Sequence, residues 1–121
     1  MLWFMPVLRD PEIIASIRKA FEEAERFDGY VTWKPIAAEN ARLIGEGITP
    51  DFVEEQIRAH LSSGGSIRFA VETRDEWKDY GFHYDFVLSV DGFPKIYVET
   101  VLVDSDLKSP EVRVVSCHKA D

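Results

Sequence analysis

The spacing of apolar residues changes character once along this chain, at Gly64-Gly65, and that change constrains the fold more than any other feature. Before the glycines the apolar residues recur at helical intervals; after them they alternate, as they do along strands with one buried face. Asp10-Pro11 opens a first helix with an acidic cap and a proline in the first turn. Ile13, Ile17, Ala20, Phe21, Ala24 and Phe27 then mark its buried stripe, and Gly29 ends it. Tyr30 to Trp33 is a short extended piece stopped by Pro35. A second helix is expected from about Ile36 to Glu46, burying Ile36, Leu43 and Ile44, and Thr49-Pro50-Asp51 repeats the cap-then-proline signal for a third that buries Val53, Ile57 and Leu61.

Beyond the glycines, Ile67, Phe69 and Val71 form a first strand, Phe82 to Val90 a second, Lys95 to Val103 a third and Val112 to Cys117 a fourth. Asp91-Gly92 marks a hairpin. A plain two-residue turn would set Phe86 beside Tyr97 and Leu88 beside Lys95, mixing polar and apolar groups on both faces. A three-residue loop with Gly92 left-handed shifts the pairing by one, and then Phe82, Tyr84, Phe86 and Leu88 share a face with Pro94, Ile96, Val98 and Leu102. The expected fold class is α+β, one domain over residues 1–121, with three N-terminal helices packed on one face of a C-terminal antiparallel sheet of about four strands.

In that register the other face gathers polar chemistry. His83 falls opposite Glu99 and Asp85 opposite Tyr97; Lys95 lies on the same face, and Arg113 and Cys117 join it if Val112 and Val114 face the core. An imidazole titrating near neutrality can exchange protons, Glu99 can orient it or act as the base, and Arg113 and Lys95 can balance phosphoryl charge. The candidate catalytic residues are therefore His83, Glu99, Arg113, Lys95 and Tyr97. The bland alternative is a solvated face with cross-strand charge pairs, each worth about 1 kcal/mol or less. His83, Asp85 and Glu99 lack a recognised ligand spacing, so no metal is expected, and no phosphate-cradling glycine loop implies a cofactor. Cys117 and His118 are neighbours on a strand and point to opposite faces. His60 near the end of the third helix suits the helix dipole, and Trp77 in the charged connector is either a partner anchor or an aromatic tucked over the sheet edge.

Composition excludes several classes. With 45% apolar and 30% charged residues the chain can bury a core, and one cysteine cannot form an internal disulfide, which fits a reducing compartment. Residues 1–62 carry seven basic and eleven acidic groups and residues 63–121 the same, giving the net charge of −8 with no basic half to mark a broad nucleic-acid footprint. The stretch Met1 to Leu8 is apolar, has no basic residue ahead of it and is broken by Pro6, making a poor signal peptide and a segment too short to span a bilayer. A cytoplasmic protein without membrane association is expected, with Leu2, Trp3, Phe4, Val7 and Leu8 adding to a sheet edge or packing across a homodimer.

From about residue 33 to residue 118 the chain resembles small bacterial RelE-like domains of toxin type. The run Ala41-Arg42-Leu43-Ile44-Gly45-Glu46-Gly47-Ile48-Thr49 carries the likeness, with Lys95-Ile96-Tyr97-Val98-Glu99-Thr100 and Val112-Arg113-Val114-Val115-Ser116. The resemblance implies helices ahead of a small antiparallel sheet whose face cleaves RNA without metal. Such domains are usually basic and often carry a His or Arg ahead of the Gly-Ile-Thr turn, where this chain has Ala38 and Glu46. Three functions follow as expectations: a metal-independent ribonuclease or an inactive relative, with RNA as partner; an acidic module, immunity- or antitoxin-like, that neutralises a basic protein; and a cystatin-like or NTF2-like ligand-binding domain.

Overall fold

Three prolines, each in the first turn of a helix, set the frame of the N-terminal half. The structure is a computed structural model and describes residues 5–120. Helix α1 (Pro11–Ala24) starts at Asp10, whose carboxylate accepts from the amides of Glu12 and Ile13, a cap worth about 1 kcal/mol. Helix α2 (Pro35–Ile44) follows a three-residue strand, β1 (Val31–Trp33), and α3 (Pro50–Ser62) is capped by the Thr49 hydroxyl, which accepts from the Phe52 amide. The chain then forms β2 (Arg68–Val71), a single 3-10 turn (Lys78–Tyr80), β3 (Phe82–Leu88), β4 (Ile96–Asp104) and β5 (Glu111–Lys119).

Among the described residues the strands form one sheet in the order β1-β5-β4-β3-β2. The α+β class stands, but the sheet has five strands and is mixed. The extended piece at Val31–Trp33 pairs parallel with β5, and its alignment is closed by bonds from the Val112 amide to the Tyr30 carbonyl and from the Lys34 amide to the Val114 carbonyl, both 2.9 Å. A three-residue strand announces no partner in sequence. The parallel connection is supplied by everything between residues 34 and 110.

All three helices lie on one side. Phe21, Ile17 and Ile57 from the helices and Phe86, Ile96, Val98, Val112 and Val114 from the sheet are wholly buried there, with Phe21 and Phe86 meeting edge to face at 5.8 Å. Two helix expectations are corrected. Helix α1 ends three residues before Phe27, which is 56% exposed. In α2 the buried residues are Ala37 and Ala41, whereas Ile36 and Leu43 are exposed, Leu43 to 81%. Small residues on the inner face let α2 approach β5 closely, and apolar size misread the face. At the end of α3, a side chain on Gly65 would stand 2.4 Å from the His60 ring, whose Nε2 lies 2.8 Å from the Ser66 carbonyl.

The hairpin keeps the expected faces but not the expected pairing. Asp85 stands opposite Glu99, Phe86 opposite Val98 and Leu88 opposite Ile96, two residues from the tighter three-residue loop. Gly92 is left-handed, with φ 83°. The loop spans residues 89–95 because Val90 and Phe93 turn inward onto the core, Phe93 against a Gly45 that has no side chain to obstruct it. A slip of two leaves every side chain on its own face, since the strand period is two.

Beyond β2, residues 6–8 lie along the outer edge of the sheet: Val7 bridges Arg68, the Leu8 amide donates to Ile67 at 2.7 Å and the Phe69 amide donates to Pro6 at 3.1 Å. Leu8 is buried. For Val7 and Leu8 this is the first of the two placements expected of the apolar N-terminal stretch, the sheet edge; Leu2, Trp3 and Phe4 lie outside the described residues. No helix among the described residues is long and apolar enough to cross a membrane.

Candidate active site on the open face of the sheet

The side of the sheet turned away from the helices holds a cluster built around one carboxylate, Asp85. Asp85 is fully buried, yet both oxygens are bonded: Oδ1 lies 2.8 Å from Nδ1 of His83, two residues away along β3, and Oδ2 accepts from the Tyr97 hydroxyl of β4 at 2.5 Å. A buried carboxylate is tolerable only with such partners. Glu99, directly across from Asp85, is bound by Arg74 at 3.0 Å. Arg74 is itself held in a fork by Glu72, through Nε at 2.9 Å and Nη2 at 2.7 Å, a charge-assisted two-bond geometry, and the Glu72 side chain is almost wholly buried.

The electrostatics separate these groups into roles. The bond to Asp85 raises the pKa of His83, with the Asp85, Glu99 and Glu72 charges adding to it against partial burial, so the imidazole holds its proton above the ordinary histidine range. Burial raises Glu99 above the usual carboxylate range, and Asp85 reinforces this, against the Arg74 charge. Glu72 is lowered by the Arg74 bond and stays ionised, and Arg74 is pushed further toward permanent charge by Glu72. Burial and the Asp85 bond raise Tyr97, so it remains a neutral donor. A raised imidazole and a raised carboxyl are the directions of shift that general acid–base chemistry asks of a histidine acid and a carboxylate base.

His83, Glu99 and Tyr97 from the expected set come together here, though His83 stands level with Val101 and reaches Glu99 diagonally. Lys95 does not join them. The longer loop leaves it exposed before β4, four residues along the strand from Glu99, or about 13 Å. Arg113 is on the right face, level with Val101 and thus two strands from His83. It is engaged elsewhere, its guanidinium 5.7 Å from the Trp77 ring centre and Nη1 3.3 Å from the Thr32 hydroxyl.

The last strand corrects a further expectation. Glu99 pairs with Ser116 but Thr100 with Val114, so Val115 is an extra residue in β5. This bulge turns Cys117 into the core, where it is wholly buried and its thiol pKa is pushed up to about 12. His118 takes the open face instead, its ring stacked on Tyr97 at 5.2 Å and 9°. Neither Arg74 nor Glu72 was legible as part of a site, because they sit in the connector after β2 and follow no strand period.

His83, Asp85 and Glu99 could offer ligand atoms that all lie within 4.8 Å of one another, a spacing compatible with a divalent cation. Each donor is already matched within the protein, and a cation would have to compete with the Arg74 guanidinium for Glu99.

No protein-family model, curated protein or solved structure matches this chain.

Proposed function

We propose that the chain is a metal-independent ribonuclease of the RelE-like, toxin type, acting in the cytoplasm through the open face of its sheet. The observation that carries this reading is the half-buried pairing of an imidazole held by Asp85 with a carboxylate held by Arg74, their ligand atoms no more than 4.8 Å apart. RNA cleavage needs a base for the 2′-hydroxyl proton, an acid for the 5′-oxygen and a cation for the charge on phosphorus. Glu99, a carboxylate whose basicity is raised by burial, takes the 2′ proton as O2′ bonds to phosphorus. His83, protonated through its Asp85 contact, gives a proton from Nε2 to the departing 5′-oxygen as the P–O5′ bond breaks. Arg74, already between two carboxylates, is the cation in reach of the phosphorane, the role first assigned to Arg113 and Lys95. The products are a 2′,3′-cyclic phosphate and a free 5′-hydroxyl.

The test is incubation of the pure protein with RNA at low salt, with and without chelator. Cleavage insensitive to chelator, lost in Glu99→Gln and His83→Gln, and leaving cyclic phosphate ends is the expected result. A second reading rests on the net charge of −8: an acidic module that captures a basic protein. It predicts intact RNA at high protein concentration and tight, salt-sensitive binding to that basic partner.

A further inference from the structure

Three elements meet at one indole beside this cluster. Trp77 sits in the connector that carries Arg74, and the turn is closed by bonds from the Trp77 and Lys78 amides to the Arg74 carbonyl at 3.0 and 2.8 Å. Lys34, at the start of α2, places Nζ 5.6 Å from the Trp77 ring centre, and Arg113 of β5 places its guanidinium carbon 5.7 Å away. Tyr80 stacks on the same indole, with centroids 6.4 Å apart and planes at 28°, and is 39% exposed. Lys34 is also paired with Glu76 at 2.6 Å, so among the described residues Arg113 is the cation on this aromatic pair that no carboxylate holds.

We infer that Trp77 and Tyr80 seat an unpaired nucleobase next to the scissile phosphate, with Arg113 meeting the flanking backbone, so that the substrate class is single-stranded RNA. This inference rests on the ribonuclease reading of the neighbouring cluster. Aromatic rings beside cations are the means by which proteins hold single strands, because every base has a stacking face and every linkage a charge. The spacing agrees. Arg113 lies two strands from His83, about 10 Å across the sheet, within the span of a dinucleotide. Arg74 joins the two regions: fixed by Glu72 and Glu99 on one side, it anchors through its carbonyl the turn that presents the rings. A paired base has both faces covered by its neighbours and cannot enter such a seat, so duplex RNA is excluded.

The experiment is equilibrium binding of a 2′-O-methyl hexanucleotide, which lacks the attacking hydroxyl and cannot be cleaved, alongside the same strand in a duplex and the same strand with abasic positions. The wild-type chain should bind the single strand at least tenfold more tightly than either of the others. Trp77→Ala should weaken single-strand binding about tenfold, in line with the worth of one stacked base, and Trp77→Phe should retain most of it. Tyr80→Ala, at the more exposed ring, is the second variant should Trp77→Ala lose its fold by circular dichroism, and it too should weaken binding several-fold. Equal affinity of the folded variants and wild type, or of abasic and intact strands, overturns the seat while leaving the cleavage reading standing. Ring-dependent binding by a wild-type chain that leaves RNA uncut overturns the cleavage reading instead, and no binding of any strand overturns both.

Discussion

The Tyr97 hydroxyl donates to the same buried Asp85 carboxylate that the His83 imidazole meets, so one side chain from each of two adjacent strands is fixed by a single residue that solvent does not reach. Removing the hydroxyl strands Oδ2 without a donor, and an unsatisfied buried acceptor costs about 1–3 kcal/mol. Tyr97→Phe should therefore lower the unfolding free energy by about 1–3 kcal/mol, read as a lower urea midpoint with an unchanged slope. Asp85→Asn should bring the His83 pKa down toward its ordinary value, since the bond to Asp85 is the largest cause of its rise; a proton NMR titration of the imidazole reads this directly. An unmoved titration would show that His83 does not depend on Asp85.

The pH dependence of stability carries the same signature. A histidine whose folded pKa lies above its unfolded value, about 6.5, adds stability that is fully present below that value and lost as the pH rises through the folded one. The stability difference between wild type and His83→Gln should shrink as the pH rises from about 6.5, measured by urea denaturation at successive pH values.

Glu54 gives the same sense from a carboxyl group. It is buried, accepts from the Trp33 indole at 2.8 Å, and is raised chiefly by desolvation, with the Asp51 charge adding to the rise against the Trp33 bond and Arg58. A raised carboxyl stabilises the fold where it is protonated and loses that contribution as the pH rises through its folded value. Glu54→Gln keeps an acceptor for Trp33 without the charge. It should be more stable than wild type at pH 7, with the difference closing toward pH 4 in thermal melts.

Cys117 should be inert in the native state. A wholly buried thiol with its pKa pushed up to about 12 presents almost no thiolate at pH 8. Iodoacetamide should label it only after denaturation, as mass spectrometry would show. Rapid labelling of the native protein would place the sulfur on the open face.

The N-terminal edge is also open to test. Residues 6–8 pair along β2 and Leu8 fills the core, so deletion of residues 2–8 should lower the melting temperature by several degrees. An unchanged melt would mean that the edge contributes nothing to the fold.

The parts of the fold that were legible in sequence are those where one rule acts alone. The two cap-then-proline starts, at Asp10-Pro11 and Thr49-Pro50, and the alternation from Phe82 to Leu88 needed only local chemistry, and the buried Phe86, Ile96 and Val98 followed from it. Alanine at 37 and 41 hid the inner face of α2, because close approach there selects small residues over apolar bulk. The site was half legible for the same reason. His83, Tyr97 and Glu99 follow strand parity, whereas Arg74 and Glu72 reach the cluster from a connector whose path depends on the folded sheet beneath it. The exchange of Cys117 and His118 turned on one bulge, which leaves no mark in a pattern of valines.

That bulge gives β5 a spare residue. Between the Glu99–Ser116 and Thr100–Val114 pairs β5 has one residue more than β4, and it can shed that residue and still keep Cys117 inward and His118 beside Tyr97, whereas inserting a residue on either side of the bulge would turn part of the strand over. Length variation in this part of the sheet is thus lopsided: Val115 is a place where the chain can shorten without exchanging what it shows to solvent for what it keeps within.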